Sequence, residues 1–158
     1  MAINIRKTGE LEDGSVSTVK IADAAVTLAK MAPTTKQEPY ASDENEQEVL
    51  GVTETAIKEF TLLTSSSDQH NWQKMSVNTT MKTSNVANVA TLKVYIDAEV
   101  SARETLTSSS ATYETVESAA LIDISDLANG AHTVTVKAYS DNASETAYNE
   151  VFEFYTYR

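Results

Sequence analysis

Strict alternation of apolar and polar side chains, interrupted every few residues by turn formers, is the feature that most narrows what this chain folds into. In the stretch 72–82, "WQKMSVNTTMK", Met75, Val77, Thr79 and Met81 fall on one face, and Lys74, Ser76, Asn78 and Thr80 on the other. A period of two is the period of a strand, whose successive side chains point to opposite faces. The pattern recurs at 91–97, with Leu92, Val94 and Ile96 inward, and at 132–140, with Val134, Val136 and Ala138 inward. At 148–158, Phe152 and Phe154 share one face, and Val151, Glu153, Tyr155 and Tyr157 the other. Further strands are expected at 56–63, 100–106, 111–117 and 119–125. Residues 49–158 therefore read as an all-β head, a seven- to eight-strand antiparallel β-sandwich of Ig-like or jelly-roll-like type. The whole chain holds four glycines and two prolines, so its turns fall to Asn, Asp and Ser, which bend the backbone through side-chain hydrogen bonds. Asn129-Gly130 is a favoured hairpin pair.

Two regions precede this head. Residues 34–48, "TTKQEPYASDENEQE", carry Pro39 and the carboxylates of Glu38, Asp43, Glu44, Glu46 and Glu48, with no apolar period. That composition predicts an extended, self-repelling acidic linker. Residues 1–33 are expected to be an extended N-terminal arm. Within it "GSVSTVKIAD" and "AAVTLAKMAP" half match, with Val16 over Val26, Ser17 over Thr27, Lys20 over Lys30 and Ile21 over Met31. Its apolar spacing fits a helix face or two short strands equally well. In either form the strip is too narrow to be stable alone and must pack on the body, on copies of itself, or on a partner. Val16, Val19, Ile21, Val26, Leu28 and Met31 are the expected anchoring and assembly residues.

Charge narrows the partners. The net charge is −11, which disfavours nucleic acid and anionic membrane surfaces, since both need cationic protein. The imbalance lies in the body. Residues 1–36 hold five basic against four acidic side chains, leaving seven against nineteen for the rest. No apolar run approaches the roughly 18 residues that span a bilayer, and the first residues lack the apolar core of a secretory signal.

Reaction chemistry finds little footing. Without cysteine there is no thiolate nucleophile and no Cys-based zinc site. The two histidines, His70 and His132, are read as loop histidines. A metal site would need them together with a carboxylate such as Asp68 or Asp97, so no metal and no cofactor are expected. The glycines never cluster into a phosphate loop, and the Ser-rich stretches lack a nucleophile elbow. The expectation is a protein that is not an enzyme. Trp72, Tyr148, Tyr155 and Tyr157 admit two readings: core and edge packing, or a glycan-stacking platform.

Two stretches resemble known families. "IDISDLANGAHTVTVKAYSDN" (122–142) is similar to the penultimate hairpin of Ig-like and fibronectin-type sandwiches, through Leu127, Gly130, Val134, Val136, Ala138 and Tyr139. "DGSVSTVKIADAAVTLAKM" (13–31) resembles a short repeat of tail-fibre and other surface proteins of tailed viruses, the bacteriophages, where such units run in tandem in trimeric fibres. Together they resemble a virion accessory protein, a capsid decoration protein or a short head fibre. The resemblance implies a structural virion protein, assembled in the host cytoplasm, that docks through its arm on the major capsid protein or another virion subunit, with a homotrimer favoured. Its alternative is a tail-fibre or spike adhesin whose head binds a host-surface glycan.

Overall fold

Every regular element among the described residues, 40–65 and 71–158 of a computed structural model, is a β-strand. In chain order these are β1 (Ala41–Asp43), β2 (Gln47–Leu50), β3 (Thr55–Thr64), β4 (Lys74–Thr83), β5 (Ala90–Ile96), β6 (Glu104–Ser108), β7 (Glu114–Glu117), β8 (Ile122–Asp123), β9 (Gly130–Ser140) and β10 (Thr146–Tyr157). The chain divides into two units, Met1–Pro33 and Thr34–Arg158. The expected arm anchors Val16, Val19, Ile21, Val26, Leu28 and Met31 lie outside the described residues.

The strands form two antiparallel sheets. One runs β1-β10-β4-β7, with β2 also on β10 and β8 also on β4; the other runs β3-β9-β5-β6. β1 and β2 meet one edge of β10, and β7 and β8 meet one edge of β4, so each pair acts as a single interrupted strand. Counted this way there are eight strands in two four-stranded sheets. Among the described strands the chain changes sheet at nearly every connection, and β5–β6 alone is a hairpin within one sheet. This is the double Greek key of a jelly roll. Of the two sandwich types expected, it is the jelly roll that forms.

That topology corrects the reading of 122–142 as a hairpin. β8 pairs with β4 in one sheet, while Gly130 opens β9 against Thr64 of β3 in the other. The turn around Asn129 carries the chain from sheet to sheet, and Gly130 supplies its φ of 141°. The acidic linker also needs correction. Tyr40 and Ala41 pack against the core and Val49 is buried, so much of 40–50 is an edge strand of the first sheet. Ser42, Glu44, Glu46 and Glu48 all face solvent. Charge on the outer side of an edge strand resembles a linker in sequence and discourages edge-to-edge pairing in the fold.

The core lies between the sheets. Leu62, Leu92, Val94, Ile96, Val134 and Val136 come from one side, and Met75, Val77, Met81, Phe152 and Phe154 from the other, all essentially without solvent exposure. The rings form one cluster. Phe60 stacks on Phe152 at 5.4 Å and meets Phe154 edge-on at 5.7 Å, while Tyr40 stacks on Phe154 at 5.2 Å. Such pairs add to the burial of their area.

One end of the sandwich is closed by ions. Arg103 reaches Glu99 at 2.5 Å and Asp126 at 2.7 Å, joining the β5–β6 turn to the segment after β8. His132 lies in the same seam. Its Nδ1 is 2.7 Å from Asp97 Oδ2 and its Nε2 is 2.7 Å from the Ala128 carbonyl. Both partners only accept, so both ring nitrogens donate and the ring is an imidazolium, with no lone pair left for a metal. Burial opposes that charge, but the bonds to Asp97 and Ala128 prevail and hold the pKa above 6.5. The His132 bond, with the Thr133 amide, holds the Asp97 carboxyl below 3.8.

The pH dependence follows from those two signs. The His132 contribution is complete below 6.5 and is lost as pH rises through the raised value; that of Asp97 is complete above 3.8 and is lost on acidification. The stability difference between the native protein and His132→Gln is therefore expected to be largest between those values. It should shrink toward pH 8 in urea titrations. A difference independent of pH would mean that the ring is neutral in the fold.

Candidate functional site

The outer face of the β10–β4 pair gathers most of the aromatic residues singled out in the sequence. On β10, Phe152, Phe154 and Thr156 point inward and are buried, leaving Val151, Glu153, Tyr155 and Tyr157 outside. Register brings Tyr155 opposite Ser76, Glu153 opposite Asn78, and Tyr157 opposite Lys74.

Both tyrosines are held down. The Tyr157 hydroxyl is 3.0 Å from Ser76 Oγ, and the Tyr155 hydroxyl donates to Glu153 Oε2 at 2.8 Å. A serine oxygen sits one atom beyond Cβ, close to the sheet. A phenol oxygen that reaches it must also lie low, so the Tyr157 ring leans over β4 instead of standing upright. The bond to Glu153, reinforced by burial, raises the Tyr155 pKa and keeps that hydroxyl protonated.

A wall rises beside these rings. Between β7 and β8, residues 118–121 interrupt the pairing with β4, pinned where the Ser118 amide donates to the Val77 carbonyl at 2.9 Å and Ser118 Oγ accepts from the Val77 amide at 2.9 Å. The result is an open groove of about 260 Å³, floored by Ser76, Asn78, Tyr155 and Tyr157 and walled by Glu117 and Leu121. Among the described residues no Lys or Arg lines it. The Glu117 side chain is exposed, and the carboxylate, the Asn78 amide and the hydroxyls offer acceptors and donors beside aromatic carbon.

The other end of the face is closed. Lys82 Nζ lies 4.2 Å from the Tyr113 ring centre and 4.7 Å from that of Tyr148. The Tyr113 hydroxyl donates to Glu46, and burial together with that carboxylate raises its pKa. Tyr148 is thus covered by a cation. Trp72 is not on this face at all. It is 8% exposed, edge-on to Tyr40 at 6.2 Å, with the Arg158 guanidinium 4.9 Å from its ring centre. The structure brings Tyr155 and Tyr157 together, leaves Tyr148 at the far end of the strand, and places Trp72 in the core. Sequence reasoning put Ser76 and Asn78 on the polar face without assigning them a role. Glu117 and Leu121 carry no sequence signal, because a loop positions them.

Among the described residues no three or more His, Asp or Glu side chains gather as they would around a metal ion.

No family model and no curated protein matches the chain. Solved structures do. One is the CBM36-1 domain of a multidomain xylanase from the hindgut metagenome of Trinervitermes trinervoides, 12% identical, with a TM-score of 0.47, covering 70% of this chain and 96% of that one. Another is the carbohydrate-binding module CBM36 in complex with calcium and xylotriose, 16% identical, with a TM-score of 0.48, covering 76% of this chain and 98% of that one.

Proposed function

We propose that the chain is a non-catalytic structural protein of a virus particle. Its arm, residues 1–33, docks on the capsid or on a neighbouring subunit, and its acidic jelly roll is displayed at the particle surface. The observation that carries this reading is the doubled ten-residue repeat, apolar and near-neutral, placed directly before an acidic β-sandwich. A narrow apolar strip of that kind gains stability only against another surface. A strongly charged body keeps neighbouring copies soluble and apart. The capsid partner, the trimer and assembly in the host cytoplasm belong to this proposal.

The test is the mass in solution of the full chain beside a chain starting at Thr34, by light scattering. The cut belongs there because one at Glu48 would remove β1 and part of β2. A trimeric full chain, a monomeric truncation and an unchanged melting temperature are the expected results. Co-sedimentation with virus particles should be lost with the arm. Equal masses and equal co-sedimentation of the two chains would overturn the proposal.

A further inference from the structure

We infer that the groove over Tyr155 and Tyr157 binds a neutral saccharide. The inference does not depend on the arm or on what the arm docks to. Three features of the groove select this class of ligand. The Tyr157 ring leans over β4 because its hydroxyl is tied low, at Ser76, and the Tyr155 hydroxyl is tied to Glu153 on the same face. These tied rings turn aromatic carbon toward the groove, the surface on which the apolar side of a pyranose packs. Tyr155 and Tyr157 are two residues apart on one strand, hence about 7 Å along it, so a single oligosaccharide is long enough to reach both.

The second feature is polar. Asn78, Ser76 and the exposed Glu117 carboxylate surround the rings within the same groove. Paired donors and acceptors suit hydroxyl groups, each of which gives and takes a hydrogen bond. A carboxylate accepting from two adjacent hydroxyls makes charge-assisted bonds, which are stronger than neutral ones. The third feature is charge. With Glu117 in the wall, Glu153 bonded to Tyr155 and no Lys or Arg among the described residues that line the groove, uronate, sialate and sulfated sugars are repelled. The ligand class is therefore an uncharged hexose or pentose chain, held in an open groove that admits a chain interior as well as an end.

The experiment uses the full chain and a panel of neutral oligosaccharides (cellohexaose, xylohexaose, maltohexaose and mannohexaose), with hexagalacturonate as the acidic comparator. Titration calorimetry gives affinity, and amide chemical shifts give location. At least one neutral oligosaccharide should bind and move the amide signals of Ser76, Asn78 and Glu117. Tyr155→Ala and Tyr157→Ala should each weaken it about tenfold, the size of a lost stacking contact. Tyr157→Phe keeps the ring and should weaken it less. Tyr148→Ala, at the covered end of the face, should leave affinity unchanged. Melting curves of each variant separate lost binding from lost fold. No binding across the neutral panel, or equal binding by the Tyr155→Ala/Tyr157→Ala double variant, would overturn the inference. Preference for hexagalacturonate would overturn the assignment to neutral sugars.

Discussion

Replacing Phe154 by alanine should cost about 4 kcal/mol of folding stability, within the range for removing a fully buried aromatic side chain. The ring has no solvent exposure and lies between Tyr40 from the edge strand and Phe60 from the opposite sheet. Its loss removes apolar burial and two ring–ring contacts, and leaves a cavity between rigid sheets that cannot close around it. Phe152→Ala should cost a similar amount, but among the described aromatic rings Phe152 stacks on Phe60 alone. The two variants differ in one readout. The single tryptophan, Trp72, packs on Tyr40, so Phe154→Ala should shift its emission to the red in the folded state while Phe152→Ala does so less. Urea titration followed by circular dichroism measures the stability change. A loss below about 1.5 kcal/mol for Phe154→Ala, small for a buried ring, would show that this cluster is not the centre of the core.

The fold was legible where period two holds without interruption. Met75, Val77, Thr79 and Met81 alternate cleanly in sequence, and all four are buried on β4. Val134, Val136 and Ala138 behave the same way on β9. Legibility failed at bulges and at strand ends. Tyr148 and Tyr155 are an odd number of residues apart and would fall on opposite faces of a regular strand. A register shift between Asn149 and Val151 puts them on the same face, because a bulge adds one residue to one strand and resets the alternation. Trp72 shares the parity of the outward Lys74, yet it precedes β4 and turns into the core. The groove was half legible. Ser76, Asn78, Tyr155 and Tyr157 follow from alternation once β10 lies beside β4, but the wall from Glu117 to Leu121 depends on where β7 ends and β8 begins.

The bulge on β10 also explains the least expected residue in the molecule, and it sets the second large effect. Lys58 stands between Ile57 and Glu59 in "AIKEFTLL", and its side chain is completely buried. Lys58 shares the parity of the inward Phe60 and Leu62, so alternation along β3 turns it into the sandwich. The bulge at Glu150, clamped where Asn149 Nδ2 donates to Thr79 Oγ1 at 2.7 Å and to the Val151 carbonyl at 3.0 Å, takes Glu150 out of the residue pairing on both sides of β10. Lys58 Nζ donates to the Glu150 carbonyl at 3.2 Å and to the Asp43 carbonyl at 2.8 Å, with the Asp43 carboxylate 3.8 Å away. One ammonium thus ties β3 to β1 and β10 across the sandwich. Lys58→Met keeps the length of the side chain and removes the donor. It removes the donor from two part-buried carbonyls, at about 1–3 kcal/mol each, so a net loss of about 3 kcal/mol is expected. The charge leaves a second signature. Burial lowers the Lys58 pKa below 10.5 despite the pull of Asp43, so the unfolded chain binds more protons than the native one as pH approaches 10.5. Stability must then rise with pH across that alkaline window. Tyrosines that ionise there are common to both proteins, so the stability of the native protein minus that of Lys58→Met isolates the lysine. That difference should widen from pH 8 toward 10.5. A difference that stays flat would mean that the ammonium remains solvated in the fold, and a variant as stable as the native protein would mean that the two carbonyls find other donors.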